Sequence, residues 1–157
     1  MTERLAWSDG VPWSERFEDI YYSRSDGLAE SRYVFLQGNR VSKRWQKKSI
    51  FRIGETGFGT GLNFLATWQL WRETRAQDSW LYFESIEGFP LDRGQLKLIH
   101  QEWRELKALS KMLLAVNNSS GELLPDWQEW PEERITLRLH HAAVLPALRV
   151  MQSNQVD

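Results

Sequence analysis

The chain has 157 residues, 20 basic against 21 acidic side chains, a formal charge of −1, and 41% apolar residues, a composition that suits a folded domain and argues against disorder. It has no cysteine, which excludes thiol catalysis, disulfides and cysteine-bound zinc, and its three histidines (His100, His140, His141) are too few and badly spaced for an all-histidine metal centre. No apolar run approaches the roughly 20 residues of a membrane span and Met1–Gly10 has no secretory pattern, so a cytoplasmic address without membrane contact is expected.

Leu5 to Val41 alternates turn residues with short β-favouring runs and reads as small hairpins. Strand candidates are Phe17–Tyr22 and Tyr33–Leu36, with turns at Asp9-Gly10, Asp26-Gly27 and Gly38-Asn39. Between Ser31 and Gly54 there is no acid but there are seven bases: Arg32, Arg40, Lys43, Arg44, Lys47, Lys48 and Arg52. Such a stretch could face a nucleic-acid backbone or simply be solvated.

Ile50–Ile53 predicts a strand, which meets the glycine run Gly57, Gly59 and Gly61. Leu62–Arg75 then predicts a helix, with Phe64, Leu65, Trp68 and Trp71 at helical spacing. Ser79–Ile86 predicts a second strand, Leu91–Val116 a long helix, Asn117–Pro131 a loop, Arg134–His140 a third strand and Ala142–Met151 a helix interrupted by Pro146. Strands alternating with helices predict an α/β fold with a parallel, doubly wound sheet. Residues 1–49 are expected to form an N-terminal β-hairpin extension, and residues 50–157 the first half of a Rossmann-like domain, ending before a fourth strand. Most of the nine tryptophans, Trp68, Trp71 and Trp103 above all, are expected in the core; others could stack on bases.

A glycine-rich turn between a first strand and its helix lets backbone amides approach a ligand. The dinucleotide pattern wants its third glycine where Leu62 stands, and a phosphate-gripping loop wants a lysine that is absent between Lys48 and Lys97. Glu55 before the turn would repel a pyrophosphate and attract an ammonium or sulfonium. Glu87, at the end of the second strand, can accept both hydroxyl protons of a ribose. Acid, GxGxG and acid together point to S-adenosylmethionine; a purely structural turn, with Glu87 a solvated loop residue, is the competing reading.

The chain resembles the methyltransferase domain of the bacterial MnmC-type enzymes, which complete 5-methylaminomethyl-2-thiouridine at the tRNA wobble position. The matching segments are WSDGVP at Trp7–Pro12, FEDIYYS at Phe17–Ser23, GLAESRYVFLQGN at Gly27–Asn39, ETGFGTGLNFL at Glu55–Leu65 and FESIEGFPL at Phe83–Leu91. The resemblance implies a class I methyltransferase fold, S-adenosylmethionine as methyl donor, and the aminomethyl nitrogen of a modified uridine in the tRNA anticodon loop as acceptor. It implies that Glu55, Gly57, Gly59, Gly61, Asn63 and Glu87 surround the cofactor and that Gly27–Asn39 lies near the active site, with Arg32, Tyr33 and Asn39 as candidate substrate contacts.

Two departures from the family pattern stand out. Where the family carries an acid that reads the adenine amine, alignment of Ile135–Leu148 places Ala143, flanked by His140 and His141. An Asp-Gly-Phe-Ala-Pro active-site loop, and the FAD-dependent oxidase domain of the bifunctional enzymes, have no counterpart in these 157 residues. Catalytic residues are therefore unassigned, weak or no methylation is expected of this chain alone, and strand one near Ile53 is expected to be a bare apolar edge. The alternatives are a non-catalytic tRNA- or partner-binding remnant, and a dinucleotide-dependent oxidoreductase on a related sheet.

Overall fold

A computed structural model of the chain describes residues 5–8, 10–22, 26–115, 122–150 and 156–157. An antiparallel three-stranded sheet comes first: β1 (Leu5–Ser8), β2 (Val11–Ser14) and β3 (Asp19–Ile20), in order β1-β2-β3. Gly10, at φ +78°, immediately precedes β2. The strand expected over Phe17–Tyr22 is reduced to the two residues of β3.

Tyr33–Leu36 is not a strand. Asp26 caps α1 (Gly27–Glu30), its Oδ1 accepting from the Ala29 amide at 2.9 Å, and the chain runs straight on into a π-helical segment, Ser31–Gln37. That segment closes with the Gly38 amide on the Tyr33 carbonyl, 2.9 Å. A four-residue apolar run fits either conformation; here a capped helix start decides it. A short helix, α2 (Val41–Trp45), leads to the second sheet.

The second sheet has order β4-β5-β7-β6, from β4 (Ile50–Thr56), β5 (Trp80–Ile86), β6 (Trp127–Trp130) and β7 (Ile135–His140). β4, β5 and β7 are parallel, as the strand–helix alternation predicts. β6 is an antiparallel addition inside the segment expected to be loop, pairing Trp130 with Ile135 across a tight turn at Pro131–Glu133. Its four residues alternate, with Gln128 buried and Trp127 exposed, but so short a run between two prolines carries little strand signal.

Helix α3 (Leu62–Thr74) follows β4. The long helix expected over Leu91–Val116 is broken into α4 (Arg93–Ile99), two 3₁₀ turns over His100–Leu106, and α5 (Lys107–Leu114); Val116 lies outside the described residues. The break falls at Trp103, which leaves helical geometry at φ −102°, ψ 77°. The final helix, α6 (Val144–Val150), falls within the expected span but is not interrupted at Pro146, which sits in its first turn, where a missing amide costs nothing.

The core lies between the sheet and the helices. Trp68 and Trp71 are fully buried and Trp103 nearly so, as expected, and Trp45 is fully buried beside them. The Trp71 ring meets Trp45 edge-on at 5.1 Å, and the Trp68 ring lies 4.4 Å from Trp130. Among the described strands β4 is an edge, but not a bare apolar one. Ile53 is buried, the Asp157 amide and carboxylate bond the Arg52 carbonyl and amide at 2.9 Å, and Lys48 pairs with Asp157. Val156 packs where a side chain on Gly54 would stand.

Candidate cofactor site

The carboxyl ends of parallel strands are where an open α/β sheet binds ligands, and a cleft of about 1060 Å³ opens there. Its floor is the glycine turn after β4, and its walls come from the end of β5, from the β3 region and from the helical segment that starts at Gly27. Gly57, Gly59 and Gly61 all have positive φ (83°, 52°, 74°), so each supplies a conformation that other residues adopt only with strain. Their roles differ. A side chain at Gly61 would meet Phe58 at 2.9 Å, whereas at Gly57 it would meet nothing within 4 Å. Gly61 is needed for packing; Gly57 lies on the cleft lining, where the backbone is open to a ligand.

Of the six expected cofactor residues, Gly57, Gly59, Asn63 and Glu87 line the cleft, while Glu55 and Gly61 lie behind the lining. A hydrogen-bonded chain links Glu55 and Asn63 to Ser31 and Ser85. Ser31 Oγ donates to Asn63 Oδ1 at 2.6 Å, Asn63 Nδ2 donates to Glu55 Oε1 at 2.9 Å, and Ser85 Oγ donates to Glu55 Oε2 at 2.8 Å. Glu87 Oε2 accepts from the Gly59 amide and Oε1 from the Phe89 amide, both at 2.8 Å. An ionised carboxylate has about four acceptor directions, so each Glu87 oxygen keeps one for a ligand hydroxyl.

Burial pushes the Glu55 carboxyl up to about 7; the bonds from Asn63 and Ser85 oppose that rise, and the Glu87 charge adds to it. Unfolded, the group titrates near 4.5. Between these values the folded state holds a proton that the unfolded state has lost, so stability falls as pH rises through the window and this group adds no further change above it. Glu55→Gln is expected to flatten that part of the profile and to raise the thermal midpoint at about pH 8. Thermal unfolding of both proteins from about pH 4.5 to 8 checks this, and parallel curves would refute it.

The three expected substrate contacts are not brought to the cleft. Arg32 Nη2 is held by Gln69 at 2.6 Å and Glu105 at 2.7 Å, Tyr33 points outward at 71% exposure, and Asn39 Nδ2 donates to the Phe35 carbonyl at 2.8 Å. In a helix, unlike a strand, the residues that reach one face are three and four apart; Ser31, Val34 and Phe35 line the cleft instead. Ala143 does line it, and offers a methyl group where the family pattern has an acid. His140 and His141 do not: His140 Nε2 meets Glu84 at 2.5 Å and His141 Nε2 the Leu124 carbonyl at 3.1 Å.

Sequence reasoning missed two residues. Tyr22 lines the cleft with its hydroxyl buried and without a hydrogen-bond partner among the described residues. Burial, with the Glu102 charge adding, pushes its pKa up to about 12 and keeps it a donor. His100 is buried below the glycine turn, Nε2 2.8 Å from the Thr60 carbonyl and Nδ1 2.8 Å from Ser110 Oγ. Burial holds its pKa below the usual histidine value. A neutral ring protonated on Nε2 donates to Thr60 and accepts from Ser110, bracing the turn from beneath. Tyr22 stands in the FEDIYYS segment, but no spacing rule marks His100.

No protein-family model matches the chain. Its structure is similar to the crystal structure of MNMC2 from Aquifex aeolicus, with a TM-score of 0.65 at 19% identity over 99% of this chain and 47% of that one. Parallel order, glycine turn and this likeness define a Rossmann-like α/β fold of the methyltransferase type. Among curated proteins, the chain is 42% identical over 154 residues to the tRNA 5-methylaminomethyl-2-thiouridine biosynthesis bifunctional protein MnmC of Methylobacillus flagellatus, covering 96% of this chain and 23% of that protein. The protein of that name from Hydrogenovibrio crunogenus is 42% identical over 151 residues, covering 92% and 22%, and that from Marinobacter nauticus 47% over 116 residues, covering 70% and 18%. The chain is thus similar to MnmC-type sequence over most of its own length, and it spans less than a quarter of the length of these relatives.

Proposed function

We propose that the cleft binds S-adenosylmethionine and that the chain carries the cofactor-binding part of a methyltransferase that modifies the wobble uridine of tRNA. The single observation that carries this reading is the placement of Glu87 across the glycine turn, with a free acceptor direction on each carboxylate oxygen, at the mouth of a cleft large enough for a ligand of this size. The names of the relatives, which concern tRNA 5-methylaminomethyl-2-thiouridine biosynthesis, supply the substrate.

In this reading Glu87 holds the ribose, Gly57 and Gly59 let backbone come close, and the Tyr22 ring forms part of the wall. Glu55 acts through Asn63: a cationic ligand in the cleft favours its ionised form, and that charge is passed as a hydrogen-bond preference to the cleft surface. The adenine end meets Ala143 without a carboxylate partner. When bound, the cofactor supplies an electrophilic methyl group for displacement by a neutral amine, and the chain's own share is to position the two.

Titration calorimetry of the whole chain with S-adenosylmethionine and, separately, with NAD tests the proposal. Saturable binding of the first alone is expected. Saturable NAD binding without S-adenosylmethionine binding would replace this reading with the oxidoreductase one.

A further inference from the structure

The strongest unassigned feature is a groove of about 840 Å³ between α4 and α5, on the far side of His100 from the cleft. Its lining carries five cations, Arg93, Lys97, Arg104, Lys107 and Lys111, and no carboxylate. The spacing explains the concentration: Arg93 and Lys97, like Lys107 and Lys111, are four apart on their helices, so each pair shares one face. The break at Trp103 folds the two faces toward each other. Arg93 donates its guanidinium to the Leu114 carbonyl and so ties the start of α4 to the end of α5. The other four cations are exposed and form no ion pair with a described carboxylate.

The basic stretch Arg32–Arg52 is less available. Arg32 is paired with Glu105, Lys48 with Asp157, Arg52 lies over the Tyr82 ring and Arg44 over that of Phe51. The groove beside Arg40 and Lys43 also contains Glu73.

We infer that the α4–α5 groove binds the phosphate backbone of RNA, through Lys97, Arg104, Lys107 and Lys111, as a docking surface separate from the cofactor cleft. A row of unneutralised cations along two helix faces matches an extended polyanion, whose contacts act additively through counterion release, better than a single small anion, which needs convergent donors. Acids Asp26, Glu102 and Glu105 lie around the shallow groove next to it, so the backbone is confined to the α4–α5 side. The choice of RNA as polyanion rests on the tRNA reading above; the charge geometry does not.

The test uses the whole chain, a fluorescently labelled tRNA transcript, and anisotropy titrations over a salt series. The triple substitution Lys97→Ala, Lys107→Ala, Lys111→Ala changes only exposed positions, and alanine keeps the helices. It is expected to lower the salt-dependence slope by about 2–3 and to weaken binding at low salt by about tenfold or more. A comparison triple, Arg40→Ala, Lys43→Ala, Lys47→Ala, is expected to change both less. S-adenosylmethionine calorimetry on the same variants separates the two proposals. Loss of RNA binding in the groove triple supports the groove whether or not the cofactor binds. A folded groove triple with an unchanged slope, or a wild-type chain that does not bind the transcript, overturns it.

Discussion

Glu87→Ala is expected to weaken S-adenosylmethionine binding by at least about a hundredfold, which corresponds to about 2.8 kcal/mol. Asp19, Glu30 and Glu87 are the carboxylates on the described cleft lining, and Glu87 is the one tied to the glycine turn, with acceptor capacity beyond its bonds to the Gly59 and Phe89 amides. Hydrogen bonds from ligand hydroxyls to a charged acceptor are worth about 1.5–3 kcal/mol each, and a ribose offers two. The substitution also frees the Gly59 amide, so the turn loses a tether at the point where it must meet the ligand. Glu87→Gln, which keeps an acceptor oxygen but not the charge, should fall between alanine and wild type. Calorimetry gives the affinities, and circular dichroism confirms the fold. Binding unchanged in the alanine variant would remove Glu87 from the site and, with it, the main support for this cofactor.

The second large effect concerns stability. Trp71→Ala is expected to cost about 3–5 kcal/mol, because a fully buried aromatic side chain leaves a cavity that its neighbours fill only in part. Two further losses act in the same direction. The edge-on contact with Trp45 disappears, and the Glu133 carbonyl that accepts from Trp71 Nε1 at 3.0 Å is left unpaired. Against a total stability of about 5–15 kcal/mol this is a large fraction, and the thermal midpoint should drop by roughly 6–20 °C. Trp127→Ala is the matching control, since that ring is 52% exposed and its loss should change stability by no more than about 0.5 kcal/mol. Equal midpoints for the two variants would mean that Trp71 does not hold α3 against Trp45 and Glu133 as described.

Much of this architecture could be read from local signals. The β4–turn–α3 unit announced itself because three residues of one type, each required for positive φ, stand between a β-branched run and a helical apolar stripe. Glu87 followed from its position at the end of the next strand, and the buried tryptophans from their spacing. Reading failed where a short segment suits two conformations. Tyr33–Leu36 has the pattern of a strand and is helical, because the Asp26 cap and the packing of Leu36 and Phe35 decide a run that is indifferent by itself. That one difference explains why Arg32, Tyr33 and Asn39 face away from the cleft while Ser31 and Phe35 face into it. The break in the Leu91–Val116 pattern and the strand β6 are of the same kind. One depends on His100 being held to Thr60, forty residues earlier, and the other on pairing with β7.

The sequence by itself determined the parallel strand–helix order, the glycine turn, the acids on either side of it and the kinship with MnmC-type proteins. These depend on residues near one another in the chain, or on strings long enough to be recognised. Only the tertiary structure decided that Glu55 reaches the cleft through Asn63 and lies partly out of water, that Tyr22 lines the cleft with its hydroxyl buried, and that His100 braces the turn. It also gathered the cations of α4 and α5 into one groove, although the chain's net charge is close to zero and its most basic stretch lies elsewhere. Charge and hydrogen bonding act through space at a few ångströms, and which side chains come that close is fixed by packing between segments far apart in sequence.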